Sequence, residues 1–498
     1  VPPSWGISCF GSVGTGLARR AWDARTTVLQ GGPHLRAGPE GCSDKCYEKR
    51  AGVGGHALRL IEGVTDQASP ALWRFIQDDD PDAFTLIVET ANGQYVRRIR
   101  PALPLPSGVE HGPGAEAAAH TAAATWGLSD FVFQSAYASK GSGRRELGDR
   151  MLLAGGRGAV IQVKARTIQP KDADSEVAWI QKVATKAVRQ AKGTVRQLRM
   201  LPADMANGRD RTLSVDGNAY EWIGVFLLDH EQVPEGTICS LEPIGIPTIA
   251  LTRRDWDFLF DQLRSTTAVL DYLFRAAVEP PVALGEEPVR YYEFAAADAG
   301  APPGPLNPDV AGLGGTHFST PLLPQAPVGS DHAHRVMRII MEDVATSAIR
   351  SQMSEPNRQL LLSDLDKLPV GARAEWGQLL LDMLADVREV PADECKWRWR
   401  RSIDPSGTRQ LIFGCATRFG PEVEAAFQSY VLLRHHQLHQ QTGLAEQSST
   451  LGVLLTPRTD GSRPWDTTLL RTEGDNELSS EEVERYTELW NPQPAEAP

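Results

Sequence analysis

The sequence predicts an α/β protein: an α/β or α+β unit over about residues 108–278, then a separate C-terminal α+β domain over 333–490. Three observations carry this. The chain has 498 residues, more than one hydrophobic core usually serves. Between 108 and 278 the apolar pattern alternates between helical and strand periods, in the order helix, three strands, helix, two strands, helix. Ten prolines then fall between Pro280 and Pro327, so 279–332 reads as a Pro/Gly-rich linker.

Residues 1–65 are rich in Gly, Arg and small polar residues and show no sustained period, which predicts disorder. Within 66–107, Phe84–Ile99 alternates around Asn92-Gly93, a dipeptide suited to a two-residue hairpin turn. A helix is expected over Gly114–Trp126, where alanines cluster and Gly127 can cap. Strands follow at Asp130–Ala138, Gly148–Leu153 and Ala159–Arg166, then a helix at Ser175–Leu201. Strands at Tyr220–Leu228 and Pro247–Leu251 and a helix at Arg254–Ala277 close the unit.

Beyond the linker, helices are expected at His334–Ser354, Asn357–Lys367 and Gly371–Val390. A hairpin of Lys396–Ile403 and Arg409–Thr417 turns at Asp404–Gly407. A helix at Pro421–Thr442, strands at Leu451–Thr456 and Thr467–Thr472, and a helix at Ser480–Leu489 complete the domain.

Hydrophobic residues at 41% and charged residues at 23% suit a folded protein. No apolar run is long enough to span a bilayer, residues 1–30 lack the apolar core of a secretory signal, and six scattered cysteines fit a reducing compartment. A cytoplasmic location without membrane contact is expected. The net charge is −12, which for the whole chain argues against nucleic acid. Its distribution argues the reverse. Fourteen bases face five acids between Lys140 and Met200, a surplus of +9 that leaves −21 elsewhere.

That basic window holds the chemistry. If Gly155-Gly156 is a two-residue turn, Asp149 lies opposite Gln162; if the turn is Gly156-Arg157, it lies opposite Lys164. In both registers Asp149, Gln162 and Lys164 share one strand face, while Ile161 and Val163 point into the core. Mg²⁺ prefers oxygen ligands and keeps several waters, so Asp149, the Gln162 amide oxygen and a carbonyl near Val163 could hold it. Lys164 would then orient a metal-bound water and offset transition-state charge. Glu146, three residues before Asp149, or Glu116 on the preceding helix would supply a second acid. The bland alternative is an exposed hairpin carrying a surface Asp–Lys pair worth about 0–1 kcal/mol.

The order helix with Glu116, strand, Glu146-Leu-Gly-Asp149, strand, Gln162-Val-Lys164, helix resembles the PD-(D/E)xK nuclease superfamily, in its restriction-endonuclease-like and NERD-like branches, over about 110–280. The resemblance implies a mixed central sheet flanked by helices and Mg- or Mn-dependent hydrolysis of phosphodiester bonds. It maps Asp149 to the metal-binding Asp, Gln162 to the Glu/Gln position, Lys164 to the catalytic Lys and Glu116 to the acid of the first helix. The literal Pro-Asp dipeptide is missing, and Gln162 carries one negative charge fewer than Glu.

Independently of the resemblance, Lys182, Lys186, Arg189, Lys192, Arg196 and Arg199 recur every three or four residues and form one stripe on the helix after the motif. Ile180, Val183, Ala187, Val188, Ala191, Val195 and Leu198 form the opposing apolar set. Like charges so arranged call for a compensating anion, which a phosphate backbone supplies, although a solvated face is the ordinary origin of such a run. The expected function is therefore an Mg-dependent endonuclease-like hydrolase acting on nucleic acid, DNA foremost. The alternatives are an inactive nucleic-acid-binding protein of the same fold or an interaction scaffold, and a homodimer is left open.

Weaker signals were set aside. Cys42 and Cys46 with His34 and His56 lack tight zinc spacing. Gly11–Gly16 has no Lys-Ser/Thr after it. His435 and His439 have no third ligand and read as a polar helix face. Trp397 and Trp399 read as core, with Lys396, Arg398, Arg400 and Arg401 on the other strand face.

Overall fold

The computed structural model describes residues 59–60, 72–77 and 80–490, apart from 91–92, 141–142, 167, 169–171, 242–244, 300–329, 348–353, 392–393, 405–406, 443–447, 459–462 and 477. The expected disorder over 1–65, the Cys42/Cys46 group and the Gly11–Gly16 stretch thus fall outside the described residues, except for Arg59 and Leu60. Among the described residues, no helix is long and apolar enough to cross a membrane.

The elements run β1 (Arg59–Leu60), β2 (Leu72–Gln77), β3 (Asp80–Thr90), β4 (Gly93–Ile99), α1 (His111–Trp126), β5 (Val132–Lys140), β6 (Gly143–Ala154), β7 (Arg157–Ala165) and α2 (Ala173–Met200). They continue through β8 (Ala203–Ala206), β9 (Thr212–Val215), β10 (Glu221–Asp229), β11 (Thr248–Thr252), α3 (Arg253–Leu263), α4 (Thr266–Ala276) and α5 (Glu287–Ala299). The C-terminal half holds α6 (Asp331–Thr346), α7 (Glu355–Asp366), α8 (Val370–Arg388), β12 (Trp397–Ile403), β13 (Arg409–Ala416), α9 (Pro421–Thr442), β14 (Ser449–Pro457), β15 (Trp465–Glu473) and α10 (Ser480–Trp490).

The chain is mixed α/β, as its patterning predicts. Its central sheet has the order β11-β10-β7-β6-β5. β5, β6 and β7 form an antiparallel meander, and β10 joins β7 in parallel through α2. A parallel neighbour needs a crossover connection, and α2 is that crossover. The C-terminal sheet is also mixed, in the order β12-β13-β14-β15, with β13 and β14 parallel across α9. β1 to β4 form a third, antiparallel sheet.

Two layers sandwich the central sheet. Alternation along β7 sends Ala159, Ile161 and Val163 into the main core with Ala115, Ala119 and Ala122 of α1 and with α3 and α4. It sends Val160 to the other face, against Ala191, Val195 and Leu198 of α2. Further along α2, Ile180, Ala184 and Ala187 pack on Phe226 and Leu228 of β10.

Several elements depart from expectation for identifiable reasons. The helix expected over Arg254–Ala277 is two helices, because Arg264 adopts the left-handed conformation (φ 52°) and Ser265 caps a new helix by accepting from the Ala268 amide at 3.0 Å. The linker expected over 279–332 contains α5. Pro288 sits at the start of that helix, where its missing N–H costs nothing, and Tyr291 and Tyr292 are buried with ring centroids 5.5 and 6.0 Å from Phe258. Residues 300–329 of that stretch lie outside the described residues. In the first hairpin Thr90 pairs with Gly93, so Gly93 opens β4 instead of forming the turn. The β8–β9 hairpin had no counterpart in the sequence reading.

The C-terminal half has its own sheet but shares a core with the first half. Val336, Ile340, Leu361 and Leu384 of α6 to α8, and Phe413, Leu451 and Val453 of the second sheet, are continuous with Ile161, Val225 and Leu251 of the first. A polar seam runs beside this contact. Buried Asp130 pairs with Arg209 at 2.5 Å and Arg211 at 3.1 Å, and Arg209 continues to Glu342 of α6 at 2.5 Å. Gln359 of α7 donates to the Asp130 carbonyl at 2.5 Å. Arg209 and Arg211 are partly exposed and keep Glu342 and Glu355 as partners, so losing the carboxylate removes charge-assisted hydrogen bonds, about 1.5–3 kcal/mol, without leaving a charge buried alone. Asp130→Ala is accordingly expected to lower unfolding stability by about that amount in a urea melt, and a variant melting like wild type would refute the seam's energetic role.

Candidate functional site

Gly155 and Gly156, with φ of 61° and 84°, form the turn between β6 and β7. Both left-handed conformations come cheaply only to glycine, and they suit a two-residue hairpin turn. The pairs run without a break from Ala154–Arg157 to Arg150–Ile161. Of the two registers open from the sequence, this is the one whose next position sets Asp149 opposite Gln162.

Gln162 is buried, 2% exposed, on the face of β7 that carries Val160 and meets α2. Lys164 follows on the same face, pairing with Leu228, and its ammonium donates to the Val163 carbonyl at 2.8 Å. Ile161 and Val163 point into the opposite core, as expected. The backbone of β6 is described through Glu146 and Asp149, but their side chains lie outside the described residues. β6 carries one extra residue here: Ala136 pairs with Leu147 and Gln134 with Arg150, so Gly148 and Asp149 together oppose Ser135. Such a bulge re-aims side chains and interrupts strict alternation. The face assigned to Asp149 by alternation from Met151 therefore ends at this bulge.

Glu116 lies on α1, which packs on the Ile161/Val163 face. The structure thus brings Gln162 and Lys164 together on one face, and Glu116 starts from the other. Among the described residues no group of three or more His, Cys, Asp or Glu side chains could hold a metal. By residue type, the donors that could hold Mg²⁺ are one carboxylate from Asp149, the Gln162 amide oxygen and water, since Mg²⁺ is commonly bound through one or two carboxylates and keeps its waters. The Val163 carbonyl is a weaker candidate, because one lone pair already accepts from Lys164.

The six bases of the stripe, Lys182, Lys186, Arg189, Lys192, Arg196 and Arg199, are all exposed. Among the described residues none of them forms an ion pair. The opposing set is buried except for Val183, which is half-buried.

Sequence reading missed two polar clusters at the carboxyl ends of the parallel strands. On the α2 face, Glu176 (1% exposed) accepts from Arg166 Nη2 at 3.0 Å, lies 2.6 Å from its Nε, and pairs with His230 at 3.1 Å. Arg166 also lies over the Trp179 ring, 4.5 Å from its centroid. The Arg166 guanidinium holds the Glu176 carboxyl below the usual carboxylate range despite burial. Extending the alternation of Gln162 and Lys164 by two residues would have found Arg166. On the α1 face, His111 Nε2 lies 2.6 Å from Asp229 Oδ2, and Arg253 Nε lies 3.3 Å from Asp229 Oδ1. His111 lies more than a hundred positions before Asp229, and Arg253 follows it by 24, so no local pattern marks them.

The set-aside signals resolve simply. His435 is buried, with Nδ1 2.9 Å from Thr450 Oγ1 and Nε2 2.7 Å from the Gly474 carbonyl. It is a satisfied core histidine, not part of the polar helix face expected there. Trp399 is core, stacked on Phe427 and Tyr430. Lys396 and Arg398 pair with Asp386 at 3.0 and 2.6 Å. No family model, curated protein or solved structure matches the chain.

Near the second cluster, Asp257 accepts from the Leu103 amide at 3.1 Å, and burial pushes its carboxyl up to about 6. The folded protein therefore binds a proton that the unfolded chain has released above about pH 4. The resulting stability is fully present below that pH and is lost as pH rises through about 6. Asp257→Asn should flatten this part of the stability curve, and unfolding measurements from pH 4 to 7 that show the same slope in both proteins would contradict the assignment.

Proposed function

We propose that the 108–278 unit is a PD-(D/E)xK-type nuclease, with a restriction-endonuclease-like sheet, that hydrolyses phosphodiester bonds of nucleic acid, DNA foremost, with Mg²⁺ or Mn²⁺. The hairpin register carries this reading, because it puts Gln162 and Lys164 on one face of β7 beside the stretch of β6 that holds Asp149. The order α1, β5, β6, β7, α2, β10, with three antiparallel strands and a parallel fourth, supports it as the arrangement the resemblance implies. The exposed bases of α2 support an extended polyanion as substrate.

In this reading Asp149 and Gln162 hold the metal, and Glu146 or Glu116 supplies a second carboxylate. The bound dication supplies Lewis acidity toward the phosphate and acidifies a water. Lys164 orients the attacking water and offsets charge gathering on the phosphate oxygens. The α2 bases neutralise backbone phosphates and set the register of the strand without reading its sequence.

Glu116's start on the opposite face and the neutral Gln162 favour one second reading, a nucleic-acid-binding protein without productive metal. Incubation of plasmid and single-stranded DNA with Mg²⁺ or Mn²⁺ separates the two. Cleavage by wild type is expected, with Lys164→Ala lowering it about 10²–10³-fold, the usual loss on removing one charge-stabilising group. Salt-sensitive binding without cleavage supports the second reading; neither cleavage nor binding leaves an interaction scaffold.

The stripe has its own signature. Log affinity falls with log salt by about 0.9 for each duplex phosphate neutralised. Combined replacement of Lys186, Arg189 and Lys192 by Ala should therefore reduce the slope by roughly 2–3. An unaltered slope would assign these bases to a solvated surface.

A further inference from the structure

We infer that Arg166 is a phosphate-binding residue, which contacts the nucleic-acid backbone one phosphate away from the group held at Lys164. This deepens the nuclease reading and rests on it. Gln162 and Lys164 are alternate residues on one face of β7, and Arg166 follows just past its end, where its amide donates to the Asp229 carbonyl of β10 at 2.9 Å. Residues two apart along a strand are separated by roughly 6.6 Å, close to the spacing of successive phosphates on one nucleic-acid strand. The position lies at the carboxyl end of the parallel strands, where open α/β sheets bind their ligands.

The surroundings of Arg166 preorganise it for this task. Glu176 accepts from its Nη2 at 3.0 Å and lies 2.6 Å from its Nε, and Trp179 supports the guanidinium plane at 4.5 Å. His230 helps to fix the carboxylate: its Nδ1 accepts from the Gln232 amide at 3.0 Å, so Nε2 carries the proton that is donated to Glu176 at 3.1 Å. A guanidinium presents five N–H groups in a fixed plane, and Nε and Nη2 contribute three. The Nη1 edge keeps two, and the side chain retains 16% exposure. Holding the fork in place lowers the entropy lost when a phosphate is gripped. A residue that served only to staple α2 to β7 would show none of the anion dependence that follows from a phosphate contact.

The test measures the affinity of the full chain for a labelled single-stranded DNA and its duplex over a salt series, with EDTA present so that binding is read without cleavage. Thermal melts report folding in parallel. Arg166→Ala is expected to bind about tenfold more weakly, the worth of one charge-assisted contact, and to lower the magnitude of the salt slope by roughly 0.7–0.9. Glu176→Gln removes the counter-charge while leaving Arg166 in place, and is expected to tighten binding several-fold. A folded Arg166→Ala protein with wild-type affinity and slope overturns the inference and leaves the nuclease reading standing. If Arg166→Ala fails to fold, Glu176→Gln decides, and unchanged affinity there overturns the inference. Wild-type protein that binds neither DNA at low salt overturns both.

Discussion

Two consecutive glycines with left-handed backbone set the arrangement of the central sheet. A two-residue turn leaves the β6–β7 pairing no freedom to slip, and a one-residue slip would exchange every side chain between faces. With the register fixed, Ile161 and Val163 fill the core beneath α1, α3 and α4, and Gln162 and Lys164 face α2. Parallel addition of β10 follows, because α2 must return over the sheet to bury its apolar side. The basic stripe is the other consequence of that burial: once seven residues are committed inward, the six bases have only solvent to face.

Polar residues concentrate where the parallel strands end. Arg166, Glu176 and His230 gather on one side of the sheet, and His111, Asp229 and Arg253 on the other. Strand ends are where backbone pairing stops and side chains from successive helices can converge, so charge partners found there need not be close in sequence. The Asp130 seam follows the same logic: the loop between β8 and β9 delivers Arg209 and Arg211 to a carboxylate some eighty residues earlier, between the two halves.

Much of this was legible in the sequence, and the failures have physical causes. α2 was readable nearly to the residue, because twenty-eight residues of sustained period leave little ambiguity. The glycine pair announced its turn, and the Trp397/Trp399 alternation announced which side of β12 is buried. The break at Arg264 was hidden because an arginine in the left-handed region leaves no compositional trace. α5 is hidden because proline density marks the whole stretch as linker, although Pro288 stands at a helix start. Within the candidate site, Gln162 and Lys164 were legible from strand parity. The bulge at Gly148–Asp149 was not, since an added residue becomes visible only against its partner strand. The side from which Glu116 begins depended on long-range packing that no local pattern encodes.

The β6–β7 turn is also anchored from outside its own sheet. The Gly155 amide donates to Ser363 Oγ of α7 at 3.2 Å, and Arg157 beside it pairs with Glu221 at 3.3 Å and with Asp271 at 2.5 Å. The tip of the hairpin thus rests on the C-terminal half as a lever rests on a fulcrum. Ser363 is the C-terminal half's contribution to this anchor, so shortening the chain at its proline-rich stretch would remove that hydrogen bond from beneath the hairpin.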